Sequence, residues 1–258
     1  MNPVQIPPDL PVRFGTRAFV EQVMGLPVSI HVRAADPWRA DIEAAVVVAY
    51  SHLRRVDEVL SPWRADSELL RVRRGELAAA FAHEWLAEVS DIAATAESAT
   101  GGLFTTTLTG PDGTTGFDPT GLVKGWAVVG ASKGLENVDH ISFCVNAGGD
   151  LTVGVGRNIT APVSSWWVGI QDPLDPMAVV DVVELARGAM ATSGGSARGT
   201  HVIDPRSGRP VDRPGSVTVI GPDLVWADVW ATAAWVDPDE AARLMSANHP
   251  DYELLRHV

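Results

Sequence analysis

The spacing of apolar residues changes several times along the chain, and each change marks an element. Residues 19–32 alternate loosely, with Val20, Val23, Val28, Ile30 and Val32 apolar. They read as a strand pair, or as one strand with a bulge near Gly25-Leu26-Pro27. Asp36-Pro37 is a helix start, with Asp36 as N-cap and Pro37 at the first helical position. That helix runs to Leu60, with Ile42, Val46, Ala49, Leu53, Val56 and Leu60 on one face, and Ser61-Pro62 stops it. Residues 61–75 read as a loop or short turn carrying Trp63, Arg64, Asp66, Ser67 and Glu68. Residues 76–99 read as a second amphipathic helix, ended by Thr100-Gly101-Gly102. Residues 103–117 are rich in Thr and Gly and too flexible in composition for a core element, and helical character resumes over 122–135.

The second half is strand-rich. Residues 141–145 and 151–155 are two strands joined by the Gly148-Gly149-Asp150 turn. Further strands follow at 166–170, 179–185 and 189–192, and 201–203 with 217–220 complete the sheet. Within 223–236, Val225, Val229 and Ala233 share helical spacing, as do Asp228 and Thr232. Asp237-Pro238 repeats the Asp-Pro helix start. Residues 1–12 are Pro-rich and read as a loose arm.

Composition narrows the function classes. The chain of 258 residues is 46% apolar and 20% charged, as in soluble globular proteins. It has no apolar run long enough for a membrane span, and residues 1–11 lack the features of a secretory signal or a lipid-attachment cysteine. The expectation is a cytoplasmic protein without a membrane span. The net charge of −12 argues against a nucleic-acid partner. An anionic small ligand then needs local donors or a metal ion. The 20 basic residues include only two lysines, Lys124 and Lys133. Lys124 sits inside a Gly loop, which suggests a position that needs a compact ammonium. The single Cys144 lies in an apolar run and reads as a structural thiol.

Four small clusters of Gly, hydroxyl, His or Asp adjoin strand-like runs. They are Asn146-Ala147-Gly148-Gly149-Asp150, Thr192-Ser193-Gly194, the stretch from His201 through Asp204-Pro205-Arg206-Ser207-Gly208, and Ala227-Asp228. Such loops on rigid strands are where binding chemistry concentrates. Asp118-Pro119-Thr120-Gly121-Leu122-Val123-Lys124-Gly125 lies upstream and lacks the Walker spacing of a phosphate loop. Asp228 and Thr232, four apart, would share one helix face as hard oxygen ligands suited to Mg²⁺.

In this order and spacing, the clusters resemble the FAD:protein FMN transferase (ApbE) family over roughly residues 24–236. The most specific parts are Asn146 through Asp150, Ala191-Thr192-Ser193-Gly194, His201 through Pro210, and Ala227 through Ala233. The resemblance implies one T-fold-related domain over 1–258, of α+β class, with a central mostly antiparallel sheet flanked by helices. It implies Mg²⁺ (or Mn²⁺) as cofactor, FAD as substrate, and an acceptor flavoprotein whose threonine takes up FMN while AMP leaves. FAD pyrophosphatase activity and flavin binding with little turnover are the alternatives. On this resemblance His201 would be the base. Asp228 and Thr232 would hold the metal, helped by backbone near Gly121 and Ala231. Met24, Trp63, Glu68, Asp118, Lys124, Gly148, Gly149, Asp150, Ser193 and His201 would contact the nucleotide. The chain departs from the family pattern at Leu26, at Thr105 where Asp is usual, and in the short span from Gly101 to Gly121.

Overall fold

The computed structural model describes residues 14–109, 115–159, 165–195 and 202–257. The chain opens with β1 (Gly15–Val23) and β2 (Leu26–Ala34), paired antiparallel from Gly15↔Ala34 to Val23↔Leu26. The two residues between them, Met24 and Gly25, both have positive φ (57° and 75°). This is the backbone geometry that matches the twist of a tight hairpin. Of the two sequence readings for 19–32, the strand pair is the one observed.

The helix that follows, α1 (Ala40–Leu60), starts later than Asp36-Pro37 suggested. Asp36 accepts a hydrogen bond from the Trp38 backbone N–H at 3.0 Å, so it caps a turn instead of a helix, and Arg39 becomes the residue before the first turn. Residues 61–75 are more than a loop. Ser67 caps α2 (Glu68–Arg73) by accepting from the Leu70 N–H at 3.2 Å. The expected helix at 76–99 is shorter at its start. A single 3₁₀ turn occupies Ala79–Phe81, and α3 spans Glu84–Ala99, begun by the His83 ring accepting from the Trp85 N–H.

Residues 103–117 also depart from expectation. Leu103 and Phe104 are buried, and β3 (Thr107–Thr109) pairs antiparallel with β4 (Thr115–Phe117). Helix α4 (Thr120–Glu136) leads into β5 (Ser142–Ala147) and β6 (Asp150–Val155), joined at Gly148-Gly149 as read from the sequence. Then come β7 (Trp166–Gln171), β8 (Val179–Leu185), β9 (Gly188–Gly194), β10 (Ile203–Asp204), β11 (Arg209–Pro210) and β12 (Ser216–Gly221). Two helices, α5 (Leu224–Val236) and α6 (Pro238–Asn248), and β13 (Glu253–His257) close the fold. Asp223 and Asp237 are side-chain N-caps for α5 and α6.

Seven strands form one sheet in the order β1-β2-β5-β6-β9-β12-β13, antiparallel throughout. The expected α+β architecture with an antiparallel sheet is therefore what folds. Three strands assigned to the sheet from the sequence lie elsewhere: among the described residues β7 and β8 pair with each other, and β10 pairs with β11. The edge strand β13 takes their place and is absent from the sequence reading.

Alternation along the strands explains the layers. On β5, Phe143, Val145 and Ala147 join the main core with α1, α4 and α5, while Cys144 belongs to a second cluster with Leu151, Val153, Met190, Trp166, Ile170 and Leu185. The β7–β8 hairpin thus covers the sheet face opposite the helices. Helix α5 is buried almost all round, from Leu224 to Trp235, and forms the centre of the helical layer. Among the described residues no helix is long and apolar enough to cross a membrane.

Candidate active site

The site is set by how closely α4 approaches α5. Asp118 accepts from the Thr120 N–H at 3.0 Å and from the Thr120 hydroxyl, which fixes the first turn of α4. Gly121 leaves room for Phe104, whose ring would stand 3.2 Å from a Cβ at that position. One turn on, Gly125 packs against the start of α5. A Cβ there would lie 3.0 Å from the Leu224 carbonyl oxygen and 3.4 Å from Asp228 Cβ. Backbone-to-backbone contact of this kind needs glycine. It brings Lys124, the preceding residue, against α5 and the start of β6.

Lys124 meets two carboxylates there. It forms an ion pair with Asp150, and its Nζ lies 3.6 Å from Asp228 Oδ1. Both acids are buried, with side chains only 2% and 6% exposed. Asp150 is further held by the Thr192 N–H, which donates to Oδ1 at 2.9 Å and ties β6 to β9. Asp228 Oδ2 is buried without a hydrogen-bond partner among the described residues. Burial raises the Asp228 pKa to about 7; Lys124 opposes that shift and Asp150 adds to it. With both acids ionised, two carboxylates share the Lys124 ammonium, which among the described residues leaves one buried negative charge in excess. A buried charge of this kind is costly unless a cation joins it.

This cluster opens onto a cavity of about 160 Å³ lined by α4, the β5–β6 turn, β9, α5 and the Leu103–Phe104–Thr105 segment. Asp118, Gly121, Lys124, Gly148, Asp150, Ser193, Asp228 and Thr232, all candidates from the sequence, line it. Asp228 and Thr232 do share one face of α5. A second hollow of about 80 Å³ adjoins the first across Thr120 and Lys124, which line both, and is bounded by Met24, Leu26, Pro62 and the 84% exposed Trp63.

Three candidate residues lie elsewhere. Glu68 lines neither hollow; its carboxylate pairs with Arg55 at 3.1 Å and accepts the His83 N–H at 2.7 Å, so it joins α2 to α1 and α3. Ala231 is fully buried, and its carbonyl sits within the hydrogen-bond ladder of α5. Gly149 lies at the tip of the β5–β6 turn with φ 101°, its N–H donating to Asn146 Oδ1, and it does not line the cavity. His201 lies outside the described residues. Among those described, no three His, Cys, Asp or Glu side chains cluster as a metal site.

Leu103, Phe104 and Thr120 line the cavity without a role read for them in the sequence. Thr192, which opens the Thr192-Ser193-Gly194 cluster, lines it as well, and its hydroxyl meets that of Thr218 at 2.9 Å.

Comparison with known proteins bears on the same region. A sequence model of the ApbE family matches residues 108–255. The FAD:protein FMN transferase of Salmonella typhimurium is 33% identical over 123 residues, 44% of this chain and 34% of that protein. Its Escherichia coli K12 counterpart is 33% identical over 130 residues, 46% of this chain and 36% of that protein. The chain thus matches about a third of the length of these curated relatives. Two solved structures share the fold along nearly the whole chain. The flavin transferase ApbE from Vibrio cholerae has a TM-score of 0.74 at 22% identity, covering 95% of this chain and 94% of that one. The apo flavinyl transferase ApbE from Pseudomonas stutzeri has a TM-score of 0.75 at 21% identity, covering 94% and 91%.

Proposed function

The chain belongs to the ApbE family, and on that premise we propose that it transfers FMN from FAD to a threonine of a target protein. The observation that carries this reading is the Lys124–Asp150–Asp228 cluster at the floor of the cavity, with Asp228 Oδ2 unpartnered among the described residues and Thr232 beside it. The excess buried negative charge and the oxygen donors fit a divalent cation, with Asp228 and Thr232 as its side-chain ligands and Mg²⁺ or Mn²⁺ as the ion. Such a cation, when bound, neutralises pyrophosphate charge and supports the departing AMP.

The chain's own residues do the rest. Lys124 offers an ammonium to the phosphates, while Gly148 and Ser193 present backbone and hydroxyl at the cavity wall. The hollow beside Met24 and Trp63 offers an apolar wall and an exposed indole for a flat ring. His201 takes the proton from the acceptor threonine. The threonine Oγ forms a bond to the FMN phosphorus, the bridging P–O bond breaks, and AMP leaves with the bridging oxygen. Phosphoryl transfer of this type depends on positioning and charge neutralisation more than on covalent work by the enzyme.

The test is to incubate the protein with FAD, Mg²⁺ and threonine-containing acceptor peptides. AMP together with an FMN-labelled peptide supports the proposal. AMP with free FMN replaces transfer by hydrolysis. FAD recovered intact with both Mg²⁺ and Mn²⁺ overturns the catalytic reading.

A further inference from the structure

The two edges of the central sheet differ. Strand β13 is short and carries Glu253 and Arg256, with Arg256 paired to Asp239 at 2.8 Å. Short length and charge are the usual protections of a sheet edge. At the other edge, β1 has nine residues and pairs with β2 in unbroken register. It lacks proline, and no strand pairs with its outer side among the described residues.

The hairpin geometry shows which groups face outward. In a two-residue turn the flanking pair, here Val23 and Leu26, exchanges hydrogen bonds. Alternation then turns the backbone N–H and C=O of Val23, Glu21, Phe19, Arg17 and Gly15 toward β2. Those of Gln22, Val20, Ala18 and Thr16 point to the open edge. These four side chains are uncharged and exposed, Val20 at 67%. On the helical side of the same edge, Val47 of α1 is 62% exposed.

We propose that β1 is an interface with a second copy of this chain, the two strands pairing antiparallel about a two-fold axis at Phe19. The charge pattern selects this occupant and this register. Centred on Phe19, Arg17 of one copy lies opposite the second copy's Glu21, and Ala18 opposite its Val20. Sliding by two residues puts Arg17 opposite Phe19 or Val23 and destroys the match. Arg17 and Glu21 then fall in non-hydrogen-bonded pairs, where side chains approach most closely. Each already has a partner of its own, Arg17–Glu43 at 2.7 Å and Glu21–Arg54 at 2.7 Å. The contact therefore joins a balanced set of charges, and the net charge of −12 does not oppose it.

Sedimentation of the full chain over a range of concentrations tests this. The wild-type protein is expected to dimerise. Val20→Pro removes an N–H that faces the open edge and leaves the β1–β2 ladder intact, so it should weaken the dimer at least about tenfold. Val20→Lys, which leaves the backbone unchanged, should weaken it too, and thermal melting checks that both variants fold. An equimolar mixture of Ala18→Cys and Val20→Cys chains should form disulfide-linked dimers on oxidation while neither variant does so alone, and the native Cys144, being buried, does not interfere. A wild-type protein that stays monomeric, a dimer indifferent to both Val20→Pro and Val20→Lys, or cross-linking of either cysteine variant alone would each overturn the proposal.

Discussion

Replacing Asp228 by Asn should stabilise the metal-free protein at alkaline pH, although it removes a charged group from an ion-pair cluster. The side chain is 6% exposed, one of its oxygens has no partner among the described residues, and Asp150 already occupies Lys124. Burial moves the carboxyl from an ordinary 3.8 up to about 7. The sign follows from linkage: an acid whose pKa is raised on folding favours the unfolded state wherever the unfolded chain has released its proton. Below about pH 4 both states are protonated and there is no cost. Between about pH 4 and pH 7 the cost grows, and above that it is complete. Three pH units at about 1.4 kcal/mol each give roughly 4 kcal/mol as an upper bound. The Asn variant keeps the shape, leaves a neutral Lys124–Asp150 pair and avoids this cost. Urea unfolding in a chelator at about pH 8 should therefore show the variant more stable by about 1–4 kcal/mol, and the difference should shrink toward about pH 4. Saturating Mg²⁺ should narrow or reverse it, because only the wild type gains binding energy. A variant equal to or less stable than wild type in chelator at alkaline pH would refute the reasoning. Asp228 would then be comfortably ionised without a metal.

Other predictions come from neighbouring contacts. Gly125→Ala places a Cβ 3.0 Å from the Leu224 carbonyl oxygen; it should cost about 1–3 kcal/mol in denaturant unfolding and lower turnover by moving Lys124 from Asp228. Trp63 is 84% exposed, so Trp63→Ala should leave the melting temperature unchanged while weakening FAD binding by roughly tenfold in fluorescence titration, a loss of ring stacking worth about 1 kcal/mol or more. The Cys144 thiol is buried and pushed up to about 12; it should resist iodoacetamide in native protein near neutral pH and react only after unfolding, as read out by mass spectrometry.

Much of this site was legible in the sequence because its signals are local. The Asp118–Gly125 loop marks the start of α4, the paired glycines mark the β5–β6 turn, and the i,i+4 spacing of Asp228 and Thr232 puts them on one face of α5. What was missed depends on distant packing. Lys124 reads as a nucleotide contact, and nothing local says that it sits between Asp150 and Asp228, 26 and 104 residues further on. Glu68 reads as part of a ligand motif, yet Arg55 and the His83 N–H take up its carboxylate. Alternation in β7 marks a half-buried strand without saying which surface it covers, so its departure from the central sheet was hidden. Leu103 and Phe104 follow two glycines within a Thr-rich stretch, and average composition concealed that both pack into the core.

Single-turnover AMP release from FAD, followed with wild type and Asp228→Asn at saturating Mg²⁺ and acceptor peptide, tests the role of Asp228 most directly. Wild type should release AMP and add FMN to the peptide, chelator should stop both, and the variant should still bind FAD but release no AMP. Equal rates for the two proteins, or AMP release unchanged by chelator, would rule out flavin transfer that depends on a cation held by Asp228.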